Sequence, residues 1–258
     1  MRTMKTMMMR SPMTRACLAA GVAVASGCGN HAADKPPPAA GTAVTAADDA
    51  GGAAPAPVAP AISTLNLSGL EAPFDRGFSA IVTFSEDTLL VFRGTESAMY
   101  APLDATMLPA RTIDRRVDAA LRWSDDSILL ASGDQAHLVE LGTAAPLATL
   151  PLATLGVPET WTYLDAAAIY DDERWIFFHE GEFAVVRMPH DDQAAALVGV
   201  YPLAELGLTE WADGIDAATN LLDGRLALFR GDGYMLLDMA AGTVTAPRAF
   251  ADSAPATL

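Results

Sequence analysis

Short apolar runs separated by polar or glycine-containing turns dominate the chain from about residue 74 onward. Near the C-terminus one run opens at Ile215, a second extends over Leu226–Phe229 and a third over Tyr234–Leu237, with Asp223-Gly224 and Gly231 between them. An Asp-Gly pair between apolar runs indicates a hairpin, because glycine adopts a positive φ without steric cost. The pattern predicts a small antiparallel meander of three strands.

The same unit occurs four times, at intervals of about 46 residues. The units open at Phe78, Val117, Leu164 and Ile215. Their first turns are Glu86-Asp87, Asp125-Asp126, Asp171-Asp172-Glu173 and Asp223-Gly224. Their second strands are predicted over Leu89–Phe92, Ile128–Ala131, Trp175–Phe178 and Leu226–Phe229, and end at Gly94, Gly133, Gly181 and Gly231. Four such meanders predict an all-β fold, a four-bladed β-propeller.

The openings of the last three units share an Asp-Ala-Ala sequence, at residues 118–120, 165–167 and 216–218. Small residues there would let four inner strands approach one axis. With the acidic turn and the Phe-Arg-Gly or similar ending, these units resemble hemopexin-like repeats, and the passage from Tyr201 to Ala218 is especially similar to the family's junction between blades. The chain departs from the family at Ser79, which replaces the first aspartate, in its short first unit, and in having no cysteines to link the first and last blades.

The resemblance implies a structural ion in the central tunnel, Ca²⁺ or Na⁺, held by the backbone carbonyls of Ser79, Asp118, Asp165 and Asp216. Hard oxygen donors suit either cation. The alternative is that these aspartate side chains cap turns or pair with neighbouring arginines. Without a disulfide, the last blade would close against the first by hydrogen bonds and apolar packing.

Composition restricts the function. Of the 258 residues 51% are hydrophobic and 19% are charged, which is typical of a globular protein. The formal net charge of −16 argues against nucleic acid as a partner, since that binding depends on cationic contacts. General solubility is one interpretation of the acidity, and attraction of a cationic ligand is the other.

The N-terminus has the pattern of an export signal. Basic residues precede an apolar run over Ala16–Ala25, which is too short to span a bilayer. The run leads into Ala25-Ser26-Gly27-Cys28, which resembles the lipobox of bacterial lipoproteins and implies lipidation of Cys28. Residues 1–27 are therefore predicted to be a lipoprotein signal peptide, with ordinary secretion as the alternative. Gly29 after the cysteine favours the outer membrane by analogy with enteric sorting.

Residues 28–61 consist mainly of Ala, Pro, Gly, Thr and Asp and contain no aromatic side chain. Such a segment cannot offset its ordering entropy by burial, so a disordered linker is predicted there. The propeller is assigned to residues 62–258.

Catalytic and cofactor motifs are sparse. The sequence contains no nucleophile elbow, no zinc-binding His-Glu-x-x-His and no phosphate-binding glycine loop. His137, His179 and His190 show no metal-ligand spacing, which argues against heme, and no organic cofactor is expected. The paired acids are assigned to turns, and Trp123, Trp161, Trp175 and Trp211 to packing.

These observations predict a lipid-anchored envelope protein that is not an enzyme and whose propeller recognises a protein or glycan partner. It would contact the membrane through the N-terminal lipid only. A scavenger or sensor of a small cationic or metal ligand is the second hypothesis, and a hydrolase with an unrecognised site is the third.

Overall fold

The computed structural model describes residues 65–85, 87–141, 146–190 and 193–253. The predicted signal peptide over residues 1–27, the lipidation residue Cys28 and the predicted linker over residues 28–61 lie outside the described residues. Among the described elements, no helix combines the length and hydropathy needed to cross a membrane.

Four antiparallel sheets follow one another along the chain, one for each predicted unit. Blade 1 contains β1 (Ala80–Ser85), β2 (Thr88–Ala101), β3 (Thr106–Met107) and β4 (Arg111–Val117). Blade 2 contains β5 (Ala119–Arg122), β6 (Ser127–Ser132), β7 (Gln135–Glu140) and β8 (Pro146–Pro151). Blade 3 contains β9 (Ala166–Ile169), β10 (Arg174–His179), β11 (Glu182–Arg187) and β12 (Ala196–Pro202). Blade 4 contains β13 (Ala217–Asn220), β14 (Arg225–Arg230), β15 (Gly233–Asp238), β16 (Thr243–Val244) and β17 (Arg248–Ala249).

Short 3₁₀ helices connect or terminate the blades. They are Phe74–Arg76, Leu152–Leu155, Leu203–Leu206, Thr209–Trp211 and Phe250–Ser253.

The first strands of the four blades form a closed ring. β1 contacts β5, β5 contacts β9, β9 contacts β13, and β13 contacts β1 again. Alternate residues of an inner strand enter the two seams beside its blade: in β5, Ala119 and Leu121 pack towards blade 3, whereas Ala120 packs towards blade 1. The predicted four-bladed propeller is therefore confirmed, and the small alanine side chains lie where the inner strands meet.

The hydrophobic core consists of four clusters, one in each seam between neighbouring blades. The seam between blades 4 and 1 is closed by the first and last described segments. Phe78 stacks on Phe250 with ring centroids 5.2 Å apart, and it meets Phe229 edge-on at the same separation. The Leu67 N–H donates to Ser253 Oγ at 2.6 Å. Apolar packing and hydrogen bonds thus close the ring, as expected for a chain without a disulfide at this seam.

Three local predictions were wrong. The second strand of blade 1 does not end at Gly94, because Gly94 pairs with Val117 of β4 and β2 continues to Ala101. In blade 3 the turn begins at Glu180 rather than at Gly181, and Glu180 has a φ of 53°. Each blade also has outer strands beyond the predicted three, because these edge segments are half-exposed and lack the continuous apolar run used to recognise the others.

Candidate functional site at the aspartate end of the ring

Ser79, Asp118, Asp165 and Asp216 occupy equivalent positions immediately before the four inner strands. We call this end of the ring the aspartate end. The N–H group of each of these residues donates to a carbonyl of the second strand of its own blade. The acceptors are Phe92 O (2.8 Å), Ala131 O (2.9 Å), Phe178 O (2.9 Å) and Phe229 O (2.7 Å). The repeats that were recognised in the sequence therefore place the four residues around one ring.

Each of their side chains accepts a backbone N–H fifteen residues later. In blades 2, 3 and 4 this N–H belongs to the turn after the second strand, and in blade 1 it belongs to Gly94 within β2. Asp118 accepts the Gly133 N–H at 3.0 Å, Asp165 accepts the Glu180 N–H at 2.5 Å, and Asp216 accepts the Gly231 N–H at 2.7 Å. Ser79 Oγ accepts the Gly94 N–H at 3.1 Å. The four residues that donate these N–H groups have φ values between 53° and 62°. The aspartates thus serve as turn caps, which was the structural alternative to ion binding.

Ser79 keeps the same function in spite of its different chemistry. Its hydroxyl accepts the Gly94 N–H and also donates to Val117 O at 2.6 Å, which joins blade 1 to the segment that enters blade 2. A carboxylate could accept the first bond but could not donate the second. The departure from Asp at this position is therefore compatible with the repeat.

The predicted ion site uses the backbone carbonyls of these four residues. The hydrogen bonds of their side chains therefore do not argue against it. One of the four residues precedes each inner strand of the ring, and oxygen donors suit Ca²⁺ or Na⁺. In the described ranges no group of three or more His, Cys, Asp or Glu side chains has the geometry to hold a metal. Ion binding at this ring stays a prediction.

The residues beside the caps differ from blade to blade. Arg116 Nε donates to Asp118 Oδ1 at 2.7 Å in blade 2. Arg93 Nη1 donates to Gly77 O at 2.6 Å in blade 1, and Arg230 forms an ion pair with Asp213 in blade 4. The backbone arrangement at the aspartate end is therefore the same in all four blades, whereas the side chains beside it differ.

Blade 3 has an aromatic group at this rim. The His179 ring lies 5.0 Å from the ring of Trp161 and 4.5 Å from that of Tyr163. Tyr163 Oη donates to Glu180 Oε1 at 3.3 Å. His179 Nδ1 is buried and has no hydrogen-bond partner among the described atoms. We call Trp161, Tyr163, His179 and Glu180 the blade 3 rim; the sequence did not reveal it, because its members come from two separate segments.

The three histidines that were considered for heme lie on separate elements. His137 is on β7, where its Nδ1 lies 3.0 Å from Thr149 Oγ1; His179 ends β10, and His190 follows β11. The fold does not bring them together into a ligand set.

The acidic first turns of blades 2, 3 and 4 lie at the opposite end of the ring, where the inner strands end. Arg122 Nη2 donates to Asp125 at 3.0 Å, and Arg225 Nε donates to Asp223 at 2.7 Å. Arg174 pairs with Asp171 and lies over the ring of Tyr170, 4.7 Å from its centroid. We call this end the turn end; several of its acids are neutralised by arginines of the same turns.

The tryptophans pack as predicted. Trp161, Trp175 and Trp211 are buried, and half-buried Trp123 lies 5.1 Å from Trp175 in the seam between blades 2 and 3.

The carboxyl of Asp165 has a raised pKa. Burial raises the pKa of its carboxyl above the ordinary value of 3.8, and the nearby charges of Asp216 and Glu180 act in the same direction. The hydrogen bond from the Glu180 N–H and the proximity of His179 oppose the increase without cancelling it. Because the folded state holds the proton more tightly, ionisation of Asp165 favours unfolding.

Asp165→Asn should test this pKa directly. The amide oxygen can still accept the Glu180 N–H, but it carries no charge at any pH. We expect the stability of the wild type relative to this variant to be greatest at acidic pH, below the ordinary aspartate pKa, and to fall as the pH rises through the higher folded-state pKa. Urea unfolding of both proteins from acidic to neutral pH measures the difference. A relative stability that rises over this range would contradict the assigned direction.

Comparison with known proteins supports the fold. No protein-family model matches the sequence, and no curated protein sequence matches it. Among solved structures, the hemopexin-fold protein CP4 from cow pea aligns with a TM-score of 0.57 at 16% identity, covering 68% of this chain and 94% of that one. A plant albumin from Cicer arietinum that shows hemagglutination gives 0.57 at 12% identity, with 68% and 94% covered. A plant lectin with two metal-binding sites, from the same species, gives 0.56 at 11% identity, with 68% and 94% covered. At these identities the similarity establishes the hemopexin fold.

Proposed function

We propose that this protein is a non-catalytic binding module that recognises a protein or glycan partner through the aspartate end of its propeller. The observation that carries this proposal is the contrast at that end: the same side-chain to backbone hydrogen bond recurs in all four blades, while the groups beside it differ. A rigid frame that presents varied side chains is suited to recognition, because little conformational entropy is lost when a partner binds.

The blade 3 rim is the part of this surface best suited to contact a partner. Tyr163 combines an aromatic face with a hydroxyl held by Glu180, and it packs against His179. Tyrosine contributes large contact area at low entropy cost, which makes it frequent among residues that dominate binding energy. The hemopexin-fold neighbours include a plant lectin and an albumin that shows hemagglutination, which supports a recognition role for this fold.

A glycan array and a panel of envelope proteins, probed with the full chain, test this function. We expect Tyr163→Ala to weaken binding by about 1 kcal/mol or more without a comparable loss of stability. The matched control is Tyr170→Ala, which removes a half-buried tyrosine at the turn end. Binding lost in the control and kept in Tyr163→Ala would place the contact surface at the opposite end. Turnover on a substrate panel, abolished by a point substitution, would instead support a hydrolase.

The N-terminal pattern supports display of this module at the bacterial envelope, with the lipid on Cys28 as anchor and the linker as spacer. Two or more acyl chains suffice for stable attachment, whereas one gives marginal binding. Feeding with labelled palmitate tests the anchor. Label in the wild type but not in Cys28→Ser would support lipidation of Cys28, and an unlabelled wild type would contradict it.

A scavenger or sensor of a small cation is the second candidate function. The negative charge of Asp216, in the neighbouring blade, adds to the raised pKa of Asp165, and this repulsion between two carboxyls at the aspartate end supports the second candidate. A bound cation would relieve this repulsion. Thermal unfolding with added Ca²⁺, Na⁺ or spermine tests it, since a ligand of the native state raises the melting temperature.

A further inference from the structure

Blades 1 and 4 carry the same hairpin at their outer edge, where β2 pairs with β3 and β15 pairs with β16. In blade 1 the Leu108 N–H donates to Met99 O at 2.9 Å, and in blade 4 the Thr245 N–H donates to Leu236 O at the same distance. Both connecting turns have four residues, and the last of them has a positive φ. We call residues 98–110 the blade 1 hairpin. Its counterpart in blade 4 shows what this backbone arrangement requires of its side chains.

The blade 1 hairpin exposes large apolar side chains that the hairpin of blade 4 does not have. Leu103, the second residue of its turn, is 61% exposed, and Leu108 is 59% exposed. The equivalent residues of blade 4 are Ala240 and Thr245. Asp104 is the only charged residue of the blade 1 hairpin. The backbone does not require the two leucines, so their exposure on one hairpin indicates a contact surface.

Positive charge follows this hairpin directly. β4 contains three arginines and one aspartate, in a chain whose net charge is −16. Arg111, the first of the three, is exposed and forms no ion pair with any residue that the structure describes. The strands β8 and β12 are also apolar, but the nearest charged residues in the sequence are acidic on both sides, Glu140 and Glu159 for β8 and Asp192 and Glu205 for β12. Exposed apolar side chains beside cationic ones are the combination that binds anionic lipid surfaces.

The N-terminal segment enters the fold against the blade 1 hairpin. The described chain begins at Leu65. Tyr100 Oη, on the inner side of the hairpin, donates to Asn66 O at 2.7 Å and accepts the Gly69 N–H at 3.3 Å. A Cβ on Gly69 would overlap Ala105 O, so the backbone of the entering segment lies directly against the turn of the hairpin. The predicted linker therefore ends beside this hairpin.

We propose that the blade 1 hairpin is a second membrane contact, which places Leu103 and Leu108 among the headgroups of the anionic bilayer that holds the Cys28 lipid, with Arg111 at the lipid phosphates. This inference rests on the proposed anchoring at Cys28. The sequence alone predicts membrane contact through that lipid only. A coil as long as the predicted linker has ends roughly 30 Å apart, so the hairpin stays near the bilayer and a weak affinity is enough to hold it there.

The contact is compatible with the proposed recognition surface. The inner strands follow one another around the ring as β1, β5, β9 and β13, so blade 3 lies across the ring from blade 1. Anionic lipid repels the acidic remainder of the surface, which favours an orientation with blade 1 towards the bilayer. The blade 3 rim would then lie on the side of the ring away from the hairpin and stay accessible to a partner.

Fluorescent probes at single cysteines test the proposal in the acylated protein, reconstituted in vesicles of phosphatidylethanolamine and phosphatidylglycerol. Leu103→Cys and the matched control Ala240→Cys carry the same environment-sensitive dye at equivalent positions of the two hairpins. Signal cleavage removes Cys17 and acylation blocks Cys28, so only the introduced cysteine is labelled. We expect lipids with a spin label near the headgroup to quench the probe at residue 103 and not the probe at residue 240.

Two further substitutions, made in the Leu103→Cys background, separate apolar insertion from attraction of charge. Leu108→Ser should lower the ratio of inserted to free hairpin about tenfold, because it removes an apolar side chain that the bilayer buries. Arg111→Gln should lower this ratio about fivefold, the effect of one arginine at an anionic surface. The matched controls are Leu147→Ser on β8 and Arg187→Gln on β11, both at exposed positions, and they should leave the ratio unchanged. Circular dichroism establishes that every variant folds.

Flotation with the vesicles separates this inference from the anchor. Protein that floats while the probe at residue 103 stays as unquenched as the probe at residue 240 would overturn the hairpin contact and leave the anchor in place. Protein that does not float would overturn both. Shielding of the probe at residue 103 without vesicles, increasing with protein concentration, would identify a second copy of the chain as the occupant and would likewise overturn the proposal.

Discussion

Phe250→Ala is expected to destabilise the propeller by about 3–5 kcal/mol, the usual cost of removing a buried aromatic ring. Phe250 is 4% exposed and lies in the seam where blade 4 meets blade 1. Its ring stacks on Phe78, at an interplanar angle of 25°, and meets Phe229 edge-on at 6.1 Å. The variant therefore leaves a cavity in the seam that has to close the ring without a covalent link.

Urea unfolding measures the loss, and Phe84→Ala provides the control. Phe84 is a half-buried phenylalanine at the turn end, so its truncation should cost clearly less. Phe78→Ala completes a double-mutant cycle: because Phe78 and Phe250 share one contact, the loss in the double variant should be smaller than the two single losses added together. Strict additivity, or a loss of less than about 1 kcal/mol for Phe250→Ala, would show that this cluster does not hold the ring closed.

The hydrogen bonds beside the cluster explain why the seam does not need a disulfide. Tyr100 Oη donates to Asn66 O at 2.7 Å and accepts the Gly69 N–H at 3.3 Å, so it fastens the segment before blade 1 onto blade 1 itself. Ser253 Oγ holds Leu67 from the side of blade 4. One short segment is thus attached to both blades, which constrains the seam from each side.

The architecture was predictable because it depends on features that recur. Four units with similar apolar runs and turns imply four similar sheets, and the alanines at the openings fit strands that crowd around a ring. A single unit would not have been enough, since a short apolar run does not identify its neighbours in space. The fourfold repeat of the unit indicated which sheets are neighbours in space, which the pattern of one unit cannot do.

The details that escaped prediction are those in which one blade differs from the others. Glu180 occupies a left-handed position that glycine occupies in the other blades, and the glycine pattern therefore pointed to Gly181. The outer strands are half-exposed and therefore lack a continuous apolar run that would identify them in the sequence. The blade 3 rim joins residues on two segments, and only the folded ring brings His179 beside Trp161 and Tyr163.

The cap geometry also explains why the aspartate repeat alone is ambiguous evidence for an ion. Each carboxylate has a structural task within its own blade, namely to accept an N–H from a turn with positive φ. The aspartate of each Asp-Ala-Ala opening therefore has a role in the fold whether or not a cation binds. Whether an ion binds depends on the backbone carbonyls of these residues. Because every residue type has a backbone carbonyl, the residue type at these positions cannot predict an ion site.

Gly77→Ala is expected to be among the most damaging single-methyl changes, with a loss of at least about 3 kcal/mol. Gly77 connects the first 3₁₀ helix to blade 1, with φ 109° and ψ 176°, a conformation that L-residues rarely adopt. A Cβ at this position would lie 2.1 Å from Gly231 O, which belongs to the capped turn of blade 4. Both partners are backbone, so neither can move aside without opening the seam.

The matched control is Gly94→Ala in the same blade. Gly94 also has a positive φ, 62°, but a Cβ there would meet no atom within 4 Å. This variant should lose only the cost of a left-handed alanine, about 1–2 kcal/mol. The difference between the two losses, measured by urea unfolding, isolates the contact between the first and last blades from simple backbone strain. Equal losses would mean that Gly77 does not hold this close approach, and ring closure would then have to depend on the phenylalanine cluster and the Ser253 bond alone.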